Sequence, residues 1–216
     1  MKLHYDRPAE YFEEALVIGN GTMGATLYGG VKKDKNSFND ITLWTGEPES
    51  ENSSPDAFNV IPEIRALLDN EDYEGADKAQ YKVQGHYSEN YQPLGTLTIE
   101  YLDDTAGISD YHRWLDIGNA TARTQYLKDG KLFTSDYFAS APDSVIVIRL
   151  KSENKEGIHA LLSFDSPLPY SSQVADNEIS VEGYAAYHSF PVYYKAEDKH
   201  RYDPERGIHF KTLVRV

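Results

Sequence analysis

Glu14 to Pro48, EALVIGNGTMGATLYGGVKKDKNSFNDITLWTGEP, holds six of the 15 glycines and one of the two tryptophans of the chain. Gly19-Asn20-Gly21 predicts a turn, because Gly and Asn tolerate a positive φ. Ala25 to Tyr28 predicts a short strand, and Phe38 to Trp44 predicts a second one, which Thr45 to Pro48 ends. Two short strands flanked by glycines therefore carry a tryptophan and several amides into one place.

The same stretch contains Gly19-x-Gly21-x-x-Gly24, which matches the dinucleotide-binding fingerprint. That fingerprint binds pyrophosphate only where a helix follows it, because the phosphates lie at the helix N-terminus. Gly29-Gly30 follows five residues after Gly24, too soon for a helix of useful length. The sequence therefore does not predict a nucleotide site here.

Length and charge restrict the class of protein. The 216 residues fit one large domain or two small ones. The net charge of −14 argues against nucleic-acid partners and anionic membranes. The chain has no apolar run of the ~18 residues that a membrane helix needs, and no basic-then-apolar leader opens it. The absence of cysteine excludes disulfides but leaves the localisation unknown.

Residues 55–83 form the one region with a helical pattern, and Ser50 to Ser54 before it predict a polar loop. Ile61, Ile64 and Leu68 recur at helical spacing. Asn59 is a candidate cap, with Pro62 in the first turn. Asn70 and Asp72 break the pattern, so we expect two short helices packed beside a sheet.

The rest of the chain has the period of strands. Leu97, Ile99 and Tyr101 alternate with polar residues, and Asp129-Gly130 predicts a hairpin. Val145 to Ile148 is apolar on both faces, which predicts a central strand. We therefore expect a mostly β fold, an antiparallel β-sandwich with a short helical excursion around residues 55–83. Residues 208–216 alternate up to the last residue, which suggests a chain cut from something longer.

Composition and spacing identify no catalytic machinery. The seven histidines are scattered, so we predict no metal and no cofactor. Glu13-Glu14 and Asp103-Asp104 are adjacent carboxylates. Glycosidases need two carboxyl groups ~5 to ~9.5 Å apart across the substrate, which adjacency does not supply. We expect these pairs to be solvated.

Three clusters of polar and aromatic residues have the composition of a glycan-binding surface. Packing in the core, with hydroxyl groups at the surface, is the commoner use of such residues. The clusters are Asn39, Asp40, Thr42 and Trp44; Tyr87, Tyr91, Gln92 and Pro93; and Tyr184, Tyr187, His188, Tyr193 and Tyr194.

Ordered motifs along the whole chain resemble glycoside hydrolase family 95, the α-L-fucosidases with some α-L-galactosidases. Asn39 to Pro48, NDITLWTGEP, is similar to the family stretch Asn-Glu-Asp-Thr-Leu-Trp-Ser-Gly-x-Pro, and Tyr91 to Gly95, YQPLG, to its Tyr-Gln-Pro-Leu-Gly-Asp stretch. Further matching blocks are Tyr5 to Ala9, Glu14 to Gly21, Gly24-Ala25, Gly29-Gly30, Tyr111 to Asp116, Phe138 to Ser140, Pro191, Tyr194 and Gly207 to Val216.

The chain departs from the family pattern at a few positions. Val17 stands where proline is usual, Asp40-Ile41 where Glu-Asp is usual, and Ser135-Asp136 where Arg-Glu is usual. These changes make polar family roles for Asp40 and Asp136 doubtful and indicate a divergent member.

The resemblance implies an N-terminal β-sandwich that is followed, in the family, by a helical linker, an (α/α)6 barrel and a C-terminal β domain. The catalytic acid and the groups that activate water lie in that barrel, and none of them matches a position here. The implied reaction is inverting hydrolysis of glycans. We expect residues 1–216 to form a single non-catalytic domain that is inactive alone, and its implied partner is the barrel of the same parent protein.

Five residues are candidates for the substrate rim or the domain interface: Asn39, Thr42, Trp44, Tyr91 and Gln92. Two alternatives remain open. The chain is a free-standing carbohydrate-binding module, or it is an interaction domain whose exposed apolar face pairs with a second copy.

Overall fold

A computed structural model describes residues 1–48, 54–85 and 87–216, and most of its regular structure is antiparallel strand. The predicted polar loop at 50–54 lies outside the described residues except for Ser54. The strands are β1 (Lys2–Tyr5), β2 (Leu16–Gly19), β3 (Met23–Leu27), β4 (Lys33–Asp40), β5 (Gly95–Tyr101), β6 (Ile108–Asp116), β7 (Thr121–Lys128), β8 (Lys131–Ser140), β9 (Val145–Ser152), β10 (Ala160–Asp165), β11 (Tyr170–Ala175), β12 (Glu178–Tyr184), β13 (His188–Ser189), β14 (His200–Arg201) and β15 (His209–Arg215). The helices are α1 (Ala57–Asp69) and α2 (Tyr73–Gln80), and single 3-10 turns lie at Phe12–Glu14 and Tyr81–Val83.

Two five-stranded sheets form the body of the fold. The first sheet has the order β1-β6-β7-β8-β9, and the second has the order β10-β5-β4-β3-β2. A third sheet, β11-β12-β15, and a two-stranded ribbon, β13-β14, complete the pairing in the described residues. Every ladder is antiparallel, so the mostly β class and the sandwich are confirmed.

The main core lies between the two large sheets. Leu16, Ile18 and Leu27 of the second sheet pack with Ala122 and Tyr137 of the first sheet. A second cluster extends this core along β5, where Leu97, Ile99 and Tyr101 are buried, and reaches the third sheet. The period-two pattern of β5 therefore places one face in the core, as predicted.

Two turns have the predicted chemistry. Gly21, with φ of 97°, lies in the turn that joins β2 to β3. Asp129 and Gly130 join β7 to β8 with φ of 51° and 73°. The φ values of Asp129 and Gly130 both lie in the left-handed region that a two-residue hairpin of this type requires. The two helices also fall within the predicted excursion around residues 55–83.

Two strand predictions were wrong. The strand predicted at Phe38 to Trp44 is instead β4, which ends at Asp40. It ends there because the Asp40 carboxylate accepts hydrogen bonds from the backbone and hydroxyl of Thr42, at 2.8 and 2.6 Å, and so folds the chain into a turn. Val145 to Ile148 begins an edge strand, not a central one. Ile146 and Ile148 pack on the core, while Val145 is 42% exposed.

The cap prediction for the first helix was also wrong. Helix α1 begins at Ala57 after Asp56, whose side chain makes no capping hydrogen bond. Pro62 therefore lies inside the helix, where it removes one backbone donor. No residue of α1 is buried, and among the described helices and strands its main contacts are with α2 and the turn at Tyr81–Val83. In the described residues, no helix is long and apolar enough to cross a membrane.

Candidate functional site

Parts of the three polar-aromatic clusters meet at one place in the fold. An isolated bridge pairs Trp44 with Tyr91, and their rings meet edge to face at 5.6 Å. Tyr87 meets Tyr194 at 5.4 Å and Tyr193 at 6.4 Å, also edge to face. These five side chains are between 39% and 75% open to solvent, and the neighbouring Val192 is 86% exposed. We call Trp44, Tyr87, Tyr91, Tyr193 and Tyr194 the aromatic surface.

Backbone hydrogen bonds join the segments that carry this surface. The amide of Gln92 donates to the Leu43 carbonyl at 2.9 Å, and the amide of Thr45 donates to the Asn90 carbonyl at 2.8 Å. The Asn90 side chain donates to the Ser189 carbonyl at 3.1 Å. The surface therefore rests on a paired backbone instead of on three independent loops.

The carboxylate of Glu89 lies where the three segments meet. One oxygen accepts from the Thr45 hydroxyl and, at 3.1 Å, from the Ser189 amide. The other oxygen lies 2.8 Å from Nδ1 of His188. Gly46 passes so close that an added Cβ would lie 2.7 Å from Glu89 Cγ, and its φ is 108°. Glycine at 46 is thus required by both the backbone conformation and the space.

The polar network continues from Glu89 into the ribbon β13-β14. The hydroxyl of Ser189, a residue only 1% exposed, lies 2.8 Å from Nδ1 of His200. On the neighbouring side, the guanidinium of Arg206 pairs with Glu47 and lies 3.7 Å from the ring centre of Tyr187. The hydrogen bond and charge of Arg206 hold the pKa of the Glu47 carboxyl below its ordinary value.

The five predicted site residues differ in their exposure to solvent. Trp44 and Tyr91 are exposed partners, and Thr42 is exposed in the turn beside them. Gln92 is 9% exposed, and its amide group donates to the Tyr91 carbonyl at 3.3 Å. Asn39 is half-buried in β4, opposite Gly24 of β3.

Sequence reasoning did not find the residues that hold this site together. Glu89, Thr45 and Ser189 were not among the candidates, because Glu89 is 44 residues from Thr45 and 100 from Ser189, and the three form no local motif. Tyr184 was a member of the late cluster, but it lies on the third sheet near Tyr202 and His209. Only the Gly46 position gave a signal, since a glycine after Trp44 indicates close approach or a special turn.

The adjacent carboxylates have unequal environments. Glu13, Asp103 and Asp104 are exposed, as predicted, whereas Glu14 is half-buried and bound to Arg7. A hydrogen bond from the Glu10 amide, aided by Arg7, lowers the pKa of the Glu14 carboxyl. A groove of about 590 Å³ over the third sheet contains one carboxylate, Glu182, which pairs with Lys211 at 2.6 Å. That groove lacks the opposed pair of carboxyl groups that a glycosidase uses.

Asp136, one of the positions that depart from the family pattern, is held by two ion pairs within the first sheet. On the outer face of the first sheet, its carboxylate pairs with Arg123 of β7 and with Arg149 of β9, the latter at 2.7 Å. Burial alone would raise the pKa of this carboxyl, but the hydrogen bonds and charges of the two arginines outweigh it and lower the pKa. In the described residues, no group of three or more potential ligands forms a metal site.

The aromatic surface can bind but offers no evident chemistry of bond cleavage. Its rings are exposed, while both oxygens of the nearby Glu89 carboxylate are engaged in hydrogen bonds. Exposed Trp and Tyr rings that stand on a fixed backbone are typical of contact surfaces, either for another protein or for a sugar.

The family comparison identifies the class of domain. Residues 3–216 match the family model described as "Glycosyl hydrolase family 65, N-terminal domain", and the chain belongs to this family of N-terminal domains.

Its relatives are named as fucosidases. "Alpha-L-fucosidase 2" of Arabidopsis thaliana is 30% identical over 223 residues, which cover all of this chain and 26% of that protein. "Probable alpha-fucosidase A" of Aspergillus oryzae is 27% identical over 64% of this chain, and its namesake in Aspergillus niger is 30% identical over 69%; each match covers 20% of the relative. The chain thus spans between 20% and 26% of the length of these relatives, and its resemblance to α-L-fucosidases is confirmed.

Proposed function

We propose that residues 1–216 are a single non-catalytic domain of a family 95 glycoside hydrolase, an α-L-fucosidase or α-L-galactosidase that acts by inverting hydrolysis. The observation that carries the proposal is the match of the whole chain to about a quarter of a named α-L-fucosidase. The domain buttresses an (α/α)6 barrel of the same parent protein, and the barrel supplies the catalytic acid and the activated water.

The aromatic surface is the part of the domain that meets the barrel or the substrate rim. Trp44 and Tyr91 supply exposed rings, and Thr42 lies beside them. Gln92 and Asn39 support these residues through the backbone. Gln92 pairs with Leu43, and Asn39 lies in β4 of the second sheet, opposite Gly24 of β3. Aromatic anchors on a rigid base contribute strongly to interfaces, because few rotamers are lost when they bind.

The test compares this chain with its parent protein on 4-nitrophenyl α-L-fucoside and the corresponding α-L-galactoside. We expect turnover by the parent and none by the isolated chain. In the parent, Trp44→Ala should lower kcat/KM. Tyr11→Ala should leave kcat/KM unchanged, because it removes an exposed ring outside the aromatic surface. Turnover by residues 1–216 alone would refute the proposal.

A free-standing carbohydrate-binding module is the second candidate, because exposed Trp and Tyr rings can stack on sugars. This function requires the isolated chain to bind a fucosylated glycan and to lose that binding on Trp44→Ala. Binding that survives this substitution, or no binding at all, favours the buttressing role.

A further inference from the structure

A cavity of about 260 Å³ opens at one end of the sandwich, away from the residues of the aromatic surface. It lies between the end of β5 in the second sheet and the ends of β7 and β8 in the first sheet. Tyr101, Tyr126 and Phe133 form its floor, and the 153–158 segment lies on its rim. This volume is slightly below the ~300 Å³ at which pockets for drug-sized ligands begin, so the cavity suits a single small ring.

Tyr126 lines this cavity, and its hydroxyl oxygen retains access to solvent there. The residue is 4% exposed, and in the described part of the chain its hydroxyl makes no hydrogen bond. Burial, together with the carboxylates of Asp34 and Asp103, raises the pKa of the Tyr126 hydroxyl, so it stays protonated and can donate. This hydroxyl is therefore available to a ligand that enters the cavity, where it can exchange a bond to water for a bond to the ligand.

Two aromatic rings lie nearly parallel to that of Tyr126. Phe133 stacks on it at 4.8 Å, and Tyr111 lies parallel to it at 6.5 Å.

The rim presents hydrogen-bonding groups of both kinds. The ammonium of Lys128 is occupied by Asp104 at 2.7 Å and by the Ala106 carbonyl. In the part of the chain that the structure describes, the Lys131 ammonium makes one hydrogen bond, at 3.3 Å to Asn154. Within the same residues, the carboxylate of Asp103 forms one ion pair, with His159 at 3.9 Å, and that of Glu156 forms none. The rim thus offers acceptors, one available donor and a net negative charge, which disfavours anions.

We propose that this cavity is a second binding site, for one neutral sugar ring or a polyol of similar size. The hydroxyl groups of such a ligand can donate to Asp103 and Glu156 and can accept from Lys131 and Tyr126. Its C–H surface fits the apolar part of the lining, which includes Val31, Ile108 and Ile158. This inference is independent of the proposed buttressing role, since the cavity shares no lining residue with the aromatic surface.

The test is an NMR titration of the isotope-labelled chain with L-fucose, D-galactose and, as a cationic probe, choline. We expect one or both sugars to shift the amides that line the cavity. Tyr126→Phe should weaken that binding about 3- to 10-fold, the value of one hydrogen bond. Asp103→Asn and Glu156→Gln, at exposed positions that tolerate change, should weaken it as well.

Tyr170→Phe is the matched control, because that hydroxyl bonds Asp165 at 3.0 Å outside this cavity. It should leave the affinity unchanged. The proposal is overturned if neither sugar shifts the cavity amides, if choline alone does so, or if Tyr126→Phe and both rim variants bind as the wild-type chain does. Shifts confined to the aromatic surface would also overturn it and would instead support the carbohydrate-binding module.

Discussion

The interior of the sandwich and the outer face of α1 carry similar side chains in opposite environments. Leu27 and Tyr137 between the large sheets are each 1% exposed, whereas Phe58 of α1 is 82% exposed. Ile61 and Leu68, which lie on the same side of α1 at helical spacing, are 38% and 46% exposed. An apolar stripe therefore predicts that a helix forms, but it does not show how much of the stripe this chain buries.

Removing a core side chain should have the largest effect. Leu27→Ala should lower the free energy of unfolding by about 2–5 kcal/mol, because it removes buried methyl groups and leaves a cavity between the sheets. Urea denaturation followed by circular dichroism measures it. Val17→Ala, in the adjacent strand β2 and 60% exposed, is the control and should stay within about 0.5 kcal/mol. Equal losses at the two positions would contradict the assigned faces.

The same interior contains a buried polar pair that sharpens the comparison. The hydroxyl of Tyr137 donates to the Asp34 carboxylate at 2.6 Å, and Asp34 is 1% exposed. Tyr137→Phe should cost about 1–3 kcal/mol at neutral pH, because a buried acceptor loses a donor. The control is Tyr170→Phe, which removes a similar bond to Asp165 at an exposed position and should cost less. A larger loss in the control would show that burial does not set the cost.

Two carboxylates should give the chain opposite pH dependences. Burial raises the pKa of Asp34, so its stabilising effect is complete below the ordinary carboxyl pKa and is lost as pH rises through the raised value. Asp136 has a lowered pKa, so its contribution is present above the ordinary value and is lost as pH falls through the lowered one. The measurement is the free energy of unfolding against pH for Asp34→Asn and Asp136→Asn.

The two variants should diverge from the wild-type chain in opposite directions. As pH rises from acid to neutral, wild type should lose stability relative to Asp34→Asn and should gain it relative to Asp136→Asn. Parallel curves for the two variants would contradict the two environments, which are a closed interior for one carboxylate and a pair of arginines for the other.

Local signals predicted much of the fold, and the misses have physical causes. The alternation of β5 and the Asp-Gly hairpin depend on neighbours in sequence, so they could be predicted. The edge position of β9 depends on which strands pair, and the apolar sequence of this strand does not distinguish an edge strand from a central one. The end of β4 depended on one side chain, Asp40, which folds back on Thr42.

The candidate site could be predicted only in part for the same reason. Trp44 and Tyr91 were found because their motifs are conspicuous, and the structure pairs them. Glu89 was missed because its partners, Thr45 and His188, are 44 and 99 residues away. A half-buried polar residue whose partners are this distant gives no periodic signal, so only the fold reveals it.

The smallest effect is expected at α1. Phe58→Ser should change the free energy of unfolding of a monomer by no more than about 0.5 kcal/mol, since the side chain is already in water. Ala76→Ser in α2 is a control at a buried position and should cost more.

If the stripe of α1 instead pairs two copies of the chain, Phe58→Ser should lower the mass seen by light scattering at high concentration. Wild-type stability should then rise with protein concentration, because association with a partner stabilises the folded state. A monomer at all concentrations, with a loss well above 0.5 kcal/mol on Phe58→Ser, would mean that α1 packs within the chain and that its contrast with the sandwich interior is wrong.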